Sequence, residues 1–106
     1  MTLNDMMLDD GTVWELLDGE RSDMFRIQLS REVGPKHKLY EQLENCTVTA
    51  KVSGTDDVLV VDGSERNAYI VHLVWNQASP DPNPSFPSCM PVNWDKAQAV
   101  LRSLEA

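Results

Sequence analysis

The sequence has few of the residues that catalytic and metal sites most often use. It contains two histidines and two cysteines, and it has neither a G-x-x-x-x-G-K-[ST] phosphate loop nor a G-x-S-x-G nucleophile elbow. Cys46 and Cys89 belong to no C-x-x-C pair and to no Cys/His pattern with zinc-like spacing. We therefore expect two free thiols, no metal site and no cofactor.

The chain also lacks long apolar runs. None approaches the ~20 residues that a membrane-spanning helix needs. The N-terminal residues MTLNDMMLDDG have neither the basic region nor the long apolar core of a secretory signal. From these absences we expect a cytoplasmic protein that does not enter a membrane.

Positive charge is scarce. Nine Lys and Arg residues stand against 17 Asp and Glu residues, which gives a net charge of −8. Such a surface repels the phosphate backbone, so a nucleic-acid partner is not expected. It would attract a basic protein, although charge of this size also serves solubility alone on small domains.

The length and composition are typical of one folded domain. The chain has 106 residues, of which 42% are hydrophobic and 25% charged. We predict a single α+β domain over residues 1–106, with an antiparallel sheet and a C-terminal helix packed on one face. The predicted strands are 12–17, 24–30, 46–52, 57–62 and 68–75, and the predicted helix is 93–105. Residues 76–92 hold five of the six prolines and are predicted to form a surface loop.

The strand predictions depend on alternation of apolar and polar residues. Phe25, Ile27 and Leu29 would share one face of a strand, and Asp18-Gly19 would help turn a hairpin. A helix over residues 12–18 is the alternative there. Residues 46–52 also alternate, which predicts one covered and one wet face, whereas the last two strands are apolar on both faces.

The C-terminal helix is predicted from its cap and its period. Asn93 can cap the helix, and apolar side chains recur behind it at helical spacing. They are Trp94, Ala97, Val100, Leu101 and Leu104.

His72 is the first candidate for chemistry. It lies in the strongest predicted strand, where Ile70 and Val74 would share its face. A half-buried histidine bonded to backbone or water is one interpretation. The other is a general base, since burial and a nearby carboxylate can move the pKa of a histidine into the working range.

His37 is the second candidate. Glu32, His37 and Tyr40 lie within a few residues of one another in an irregular segment, and loops often carry function. Lys36 and Lys38 flank the histidine, so a solvated turn is the alternative.

The adjacent pair Asp56-Asp57 could suggest a chelate, but no third oxygen ligand stands at EF-hand spacing. A turn with outward charges fits that pair better.

The aromatic residues near the proline-rich loop suggest an interface. Trp75 precedes this loop, Phe86 lies within it and Trp94 follows it. These rings either fill the edge of the core or form a recognition patch, for which Asp56 and Asp57 are further candidates.

Four short motifs in the region from Phe25 to Trp75 carry a family resemblance. They are Arg31-Glu32-Val33-Gly34-Pro35 with His37, Leu39 and Tyr40, then Asp56-Asp57-Val58-Leu59, then Asp62-Gly63, then Val71-His72-Leu73-Val74-Trp75. With them the chain resembles a family of small uncharacterised bacterial proteins. Val74 stands where that family usually has Thr, and Asn76 where it usually has Ser. The resemblance covers about half of the chain and implies no activity.

Three functions are compatible with the sequence. The first is a protein–protein interaction module, such as an immunity or inhibitor-type partner of a basic protein, and it is favoured by the charge and by the missing catalytic motifs. The second is a small enzyme or ligand-binding protein with a His/Glu pocket. The third is a homo-oligomeric structural module that pairs through an open sheet edge.

Overall fold

The computed structural model describes residues 12–34, 37, 39–73 and 88–105. Within these ranges the elements are strand β1 (Trp14–Leu16), helix α1 (Gly19–Glu32), a 3-10 helix (Tyr40–Asn45), strands β2 (Cys46–Val52), β3 (Asp57–Asp62), β4 (Asn67–His72) and β5 (Ser88–Val92), and helix α2 (Trp94–Glu105). The five strands form one antiparallel sheet in the order of the chain. The predicted α+β class, with a five-stranded antiparallel sheet and a C-terminal helix, is confirmed.

Residues 24–30 lie inside α1, so the prediction of a strand there is wrong. Phe25 and Leu29 are four residues apart, and both are buried against the sheet, whereas Ile27 is 52% exposed. Side chains four residues apart share one helix face, while alternate residues share one strand face. The spacing of Phe25 and Leu29 fits both patterns, and the exposure of Ile27 shows which one the chain adopts.

The Asp-Gly pair that predicts a hairpin turn begins α1 instead. The Arg21 N–H donates to Asp18 Oδ1 (2.8 Å), and the Ser22 N–H donates to the Asp18 carbonyl (2.8 Å). Asp18 is therefore an N-cap, a position that favours aspartate. Of the two alternatives for residues 12–18, the strand is the one formed, and it spans Trp14–Leu16.

Strand β5 forms where the sequence predicts a loop. The end of the proline-rich segment, Ser88–Val92, pairs with β4, so the prediction of a loop as far as residue 92 is wrong. Pro91 lies opposite Tyr69 on this last strand of the sheet. An edge strand tolerates proline because its outer side needs no N–H donor. Residues 76–87 lie outside the described residues.

A bulge in β2 divides its apolar side chains between the two faces of the sheet. The pairing register with β3 shifts between Val48 and Ala50. Cys46 and Val48 lie in the core under α1, whereas Ala50 and Val52 lie in the core under α2. Strict alternation would put all four on one face, and the bulge reverses it. The prediction of a single covered face is therefore wrong for this strand.

Two hydrophobic cores lie on opposite faces of the sheet. The core on the α1 side contains Leu17, Phe25, Leu29, Val33, Leu39, Cys46, Val48, Val58, Val60, Tyr69, Val71 and Leu73. The core on the α2 side contains Trp14, Ala50, Val52, Leu59, Ala68, Ile70 and Ala97, with the partly buried Trp94, Val100, Leu101 and Leu104 packed against it. Helices on both faces explain why β3 and β4 are apolar on both sides between their polar end residues.

The C-terminal helix follows its prediction closely. Asn93 Oδ1 accepts the Lys96 N–H (3.0 Å), so Asn93 is the cap, and the helix continues to Glu105. Its predicted apolar face packs on the sheet. No helix in the described part of the chain is long and apolar enough to span a membrane.

Candidate functional site

Among the predicted site residues that the structure describes, Asp57 and His72 contact each other directly through their side chains. They are cross-strand partners at one end of the β3–β4 pair, and His72 Nδ1 lies 2.9 Å from Asp57 Oδ1. Thr55 Oγ1 donates to the other carboxylate oxygen (2.9 Å), which fixes its orientation. The His72 side chain is 54% exposed, so the pair lies at the surface. A carboxylate on Nδ1 leaves Nε2 to exchange a proton with a bound molecule.

The Asp56 backbone ties the end of β4 to the preceding turn. Its carbonyl accepts the Leu73 N–H (3.1 Å). Asp56 and Asp57 therefore act in different contacts rather than as a pair of ligands. Within the described ranges, no group of three or more His, Cys, Asp or Glu side chains could hold a metal ion.

Glu32 and His37 are buried, each with 5% of its surface exposed. Glu32 Oε2 accepts a hydrogen bond from Gln28 Nε2 (2.7 Å), one helical turn earlier in α1. His37 Nδ1 accepts the Leu39 N–H (3.1 Å). Because Nδ1 accepts, the proton of the neutral imidazole lies on Nε2.

The two histidines do not converge. Val71 and Leu73 face the core under α1, so His72 between them projects from the opposite face of the sheet. His37 adjoins Leu39, which belongs to the core under α1. The structure thus brings His72 to Asp57, and it does not bring His72 to His37.

Tyr40 borders an open cleft between α1 and the 3-10 helix. Its side chain is 46% exposed. The cleft has a volume of about 450 Å³ and is lined by Arg26, Ser30, Tyr40, Glu41, Leu43 and Glu44. An Arg26 guanidinium nitrogen donates to the Leu43 carbonyl across it (2.7 Å). We call this the Tyr40 cleft, and of the predicted site residues that the structure describes, Tyr40 alone lines it.

The predicted aromatic rim is described only in part. Trp94 packs against the core under α2, as the core interpretation of this residue expects. Trp75 and Phe86 lie outside the described residues.

The outer face of α1 is not among the predicted site residues. Met24 and Ile27 are 49% and 52% exposed and lie one helical turn apart. Glu20 and Asp23 are exposed beside them, and neither has an ion-pair partner within the part of the chain that the structure describes. We call these four residues the α1 face. A helical interpretation of residues 19–32 would have shown them together.

The two thiols occupy different environments, and neither cysteine is in a disulfide. Burial, followed by the negative charge of Asp62, raises the pKa of Cys46 from 9.0 to about 11, while Arg26 acts in the opposite direction. Cys89 is partly exposed on β5. Three strand spacings of about 4.8 Å separate β2 from β5, which is too far for a disulfide in this fold.

No family model, curated protein or solved structure matches this chain. The resemblance to small bacterial proteins therefore stays a prediction. Function has to be inferred from the surface features of the described residues.

Proposed function

We propose that the protein is an acidic interaction module, an immunity or inhibitor-type partner of a basic protein, and that the α1 face is its contact surface. One observation carries the proposal. Met24 and Ile27 are half-exposed on a helix whose opposite side is packed on the sheet. Contiguous apolar surface rimmed by polar residues is one mark of an interaction site, and these two side chains would form its centre.

The charge of the whole chain suggests the kind of partner. Glu20 and Asp23 flank the apolar pair without an ion-pair partner among the described residues, and the exposed Arg31 lies one turn beyond Ile27, but the chain as a whole carries −8. Complementary charge accelerates encounter and excludes acidic partners, while a central apolar contact supplies affinity. A basic surface with an apolar centre meets both requirements.

The experiment uses a defined probe. We would titrate the isotope-labelled protein with a synthetic peptide of alternating Leu and Arg and follow amide shifts by NMR. We expect saturable shifts along α1 that weaken as salt is added, because the charges are at the surface. A peptide of alternating Leu and Glu should leave these signals in place.

Two variants distinguish specific binding at the α1 face from nonspecific binding. Ile27→Ser should weaken binding about tenfold, the loss expected for a contact worth about 1.4 kcal/mol. Val13→Ser is the matched control, because Val13 is 66% exposed but precedes β1. Equal losses in both variants, or equal binding of both peptides, would contradict the proposal.

A second candidate function is supported by the 2.9 Å contact between Asp57 and His72. In this version the protein is a small enzyme in which His72 Nε2 acts as a general base. Hydrolysis of an activated ester such as p-nitrophenyl acetate should then fall in both His72→Gln and Asp57→Asn. Unchanged rates in His72→Gln would remove this candidate.

A further inference from the structure

The Tyr40 cleft holds opposite charges apart around open space. Arg26 lies on its α1 wall, and Glu41 and Glu44 lie on its 3-10 wall. Neither carboxylate is within ion-pair distance of the guanidinium. Its volume of about 450 Å³ has room for a small molecule, and the cleft is open to solvent rather than enclosed.

Arg26 is positioned rather than free to move. One guanidinium nitrogen donates to the Leu43 carbonyl at 2.7 Å. A guanidinium has five N–H donors, so others are left to meet a ligand. Arg26 has no carboxylate partner among the residues described. Its fork geometry suits a carboxylate.

The opposite wall presents two carboxylates together. Glu41 and Glu44 are three residues apart in a 3-10 helix, where such side chains lie one above the other. Both are exposed, and neither has an ion-pair partner in the described ranges. Their mutual repulsion favours a cation between them or beside them.

The same spacing aligns an apolar wall. Tyr40 and Leu43 are also three residues apart, and both line the cleft. Tyr40 is 46% exposed, so its ring is available for contact. The cleft thus offers a carboxylate site at Arg26, a cation site at Glu41 and Glu44, and an apolar surface beside them.

We propose that the Tyr40 cleft binds a free α-amino acid with an apolar side chain. The carboxylate of such a ligand would meet Arg26, its ammonium group would meet the two glutamates, and its side chain would cover Tyr40 and Leu43. Neither terminus of a peptide carries both charged groups on one carbon, so the ligand is the free zwitterion. The site does not include the α1 face and stands independently of the proposed interaction with a basic protein.

The test compares L-leucine with two analogues that each lack one charge. N-acetyl-L-leucine lacks the ammonium group, and L-leucinamide lacks the carboxylate. In NMR titrations we expect L-leucine to shift the Tyr40 amide and the Arg26 Nε–H saturably, with a millimolar Kd. Each analogue should bind at least about tenfold more weakly, because each loses one charge-assisted contact.

Variants assign the two ends of the ligand. Arg26→Gln should weaken L-leucine binding about tenfold and leave L-leucinamide binding unchanged. The double variant Glu41→Gln with Glu44→Gln should also weaken L-leucine binding about tenfold, and it should leave N-acetyl-L-leucine binding unchanged. Glu65→Gln is the control, because Glu65 is an exposed carboxylate in the β3–β4 turn.

The analogue series keeps the proposal falsifiable even if a variant fails to fold. No saturable shift with L-leucine up to its solubility limit would overturn it. Equal affinity for L-leucine and either analogue would also overturn it, because the cleft would then recognise only one of the two charged groups of the ligand. Shifts confined to the α1 face would place the ligand elsewhere and count against the cleft.

Discussion

Replacing Asp62 with alanine should destabilise the β3–β4 hairpin by about 2 kcal/mol. Asp62 is fully buried, and its Oδ1 accepts three hydrogen bonds within the following turn. The donors are the Ser64 N–H (3.0 Å), the Ser64 hydroxyl (2.7 Å) and the Glu65 N–H (3.3 Å). Hydrogen bonds to a charged group contribute about 1.5–3 kcal/mol each, and bonds that share one oxygen are not additive.

Two effects make the net loss of stability smaller than the combined contribution of these three hydrogen bonds. Ser64 and Glu65 are exposed, so water can replace the lost acceptor. The second oxygen, Oδ2, is buried and meets no donor among the described residues, so removing it relieves a desolvation cost. About 2 kcal/mol therefore remains, a large part of the 5–15 kcal/mol typical of a small domain.

Urea titrations followed by circular dichroism measure this difference. Asp62→Ala should lower the midpoint at an unchanged m-value. Ser64→Ala, which removes the 2.7 Å bond, should cost about 1 kcal/mol. Glu65→Gln, which keeps its N–H, should be close to neutral. A free energy of unfolding for Asp62→Ala within about 0.5 kcal/mol of that of the original protein would refute the reasoning, since changes this small are typical of ordinary surface sites.

Three other predictions concern the thiols and α1. Burial raises the pKa of Cys46 from 9.0 to about 11, so the folded state keeps a proton that the unfolded state releases. Stability should therefore fall as pH rises from 9.0 to about 11, and Cys46→Ala should lose part of that slope; an unchanged slope would contradict this origin. Iodoacetamide should modify the partly exposed Cys89 before the buried Cys46, as peptide mass mapping would show, and the reverse order would contradict the burial. Asp18→Ala should cost about 1 kcal/mol through loss of the α1 cap, whereas a neutral effect in urea titrations would mean that another group caps the helix.

Capping and helical period predicted α2 well because all its signals agree. Asn93 caps the helix, and the apolar residues behind it recur every three or four positions and pack on the sheet. Strands β3 and β4 were equally clear, since each has an apolar centre and follows a turn that contains Ser-Gly or Asp-Gly. Where several local signals point to one structure, a single sequence suffices.

Two features could not be read from local patterns. The β2 bulge depends on how β2 pairs with β3. The residues that meet there are distant in sequence: the Thr49 hydroxyl donates to the Leu59 carbonyl, 10 residues later. Strand β5 depends on the open edge of β4, which allows Pro91 to join the sheet. Both are tertiary effects, and propensity alone gives no sign of them.

The candidate sites divide in the same way. The proximity of Asp57 and His72 follows from the register of β3 and β4, which a predicted hairpin could have supplied. The Tyr40 cleft forms where α1 packs against the 3-10 helix. The residues that meet there are far apart in sequence, as in the hydrogen bond from Arg26 to Leu43, 17 residues later. No spacing rule within the sequence relates those two segments.

Helix α1 was mistaken for a strand for a reason that bears on function. Its buried side includes Gln28 and Glu32, while Met24 and Ile27 are exposed on its outer side. This exchange of polar and apolar positions weakens the helical period from which the sequence would be interpreted. The buried polar pair satisfies itself in part through the 2.7 Å bond between the two side chains. The exposed apolar pair has no such compensation within the described fold, and positions that break a local rule without compensation are where a functional contact is expected.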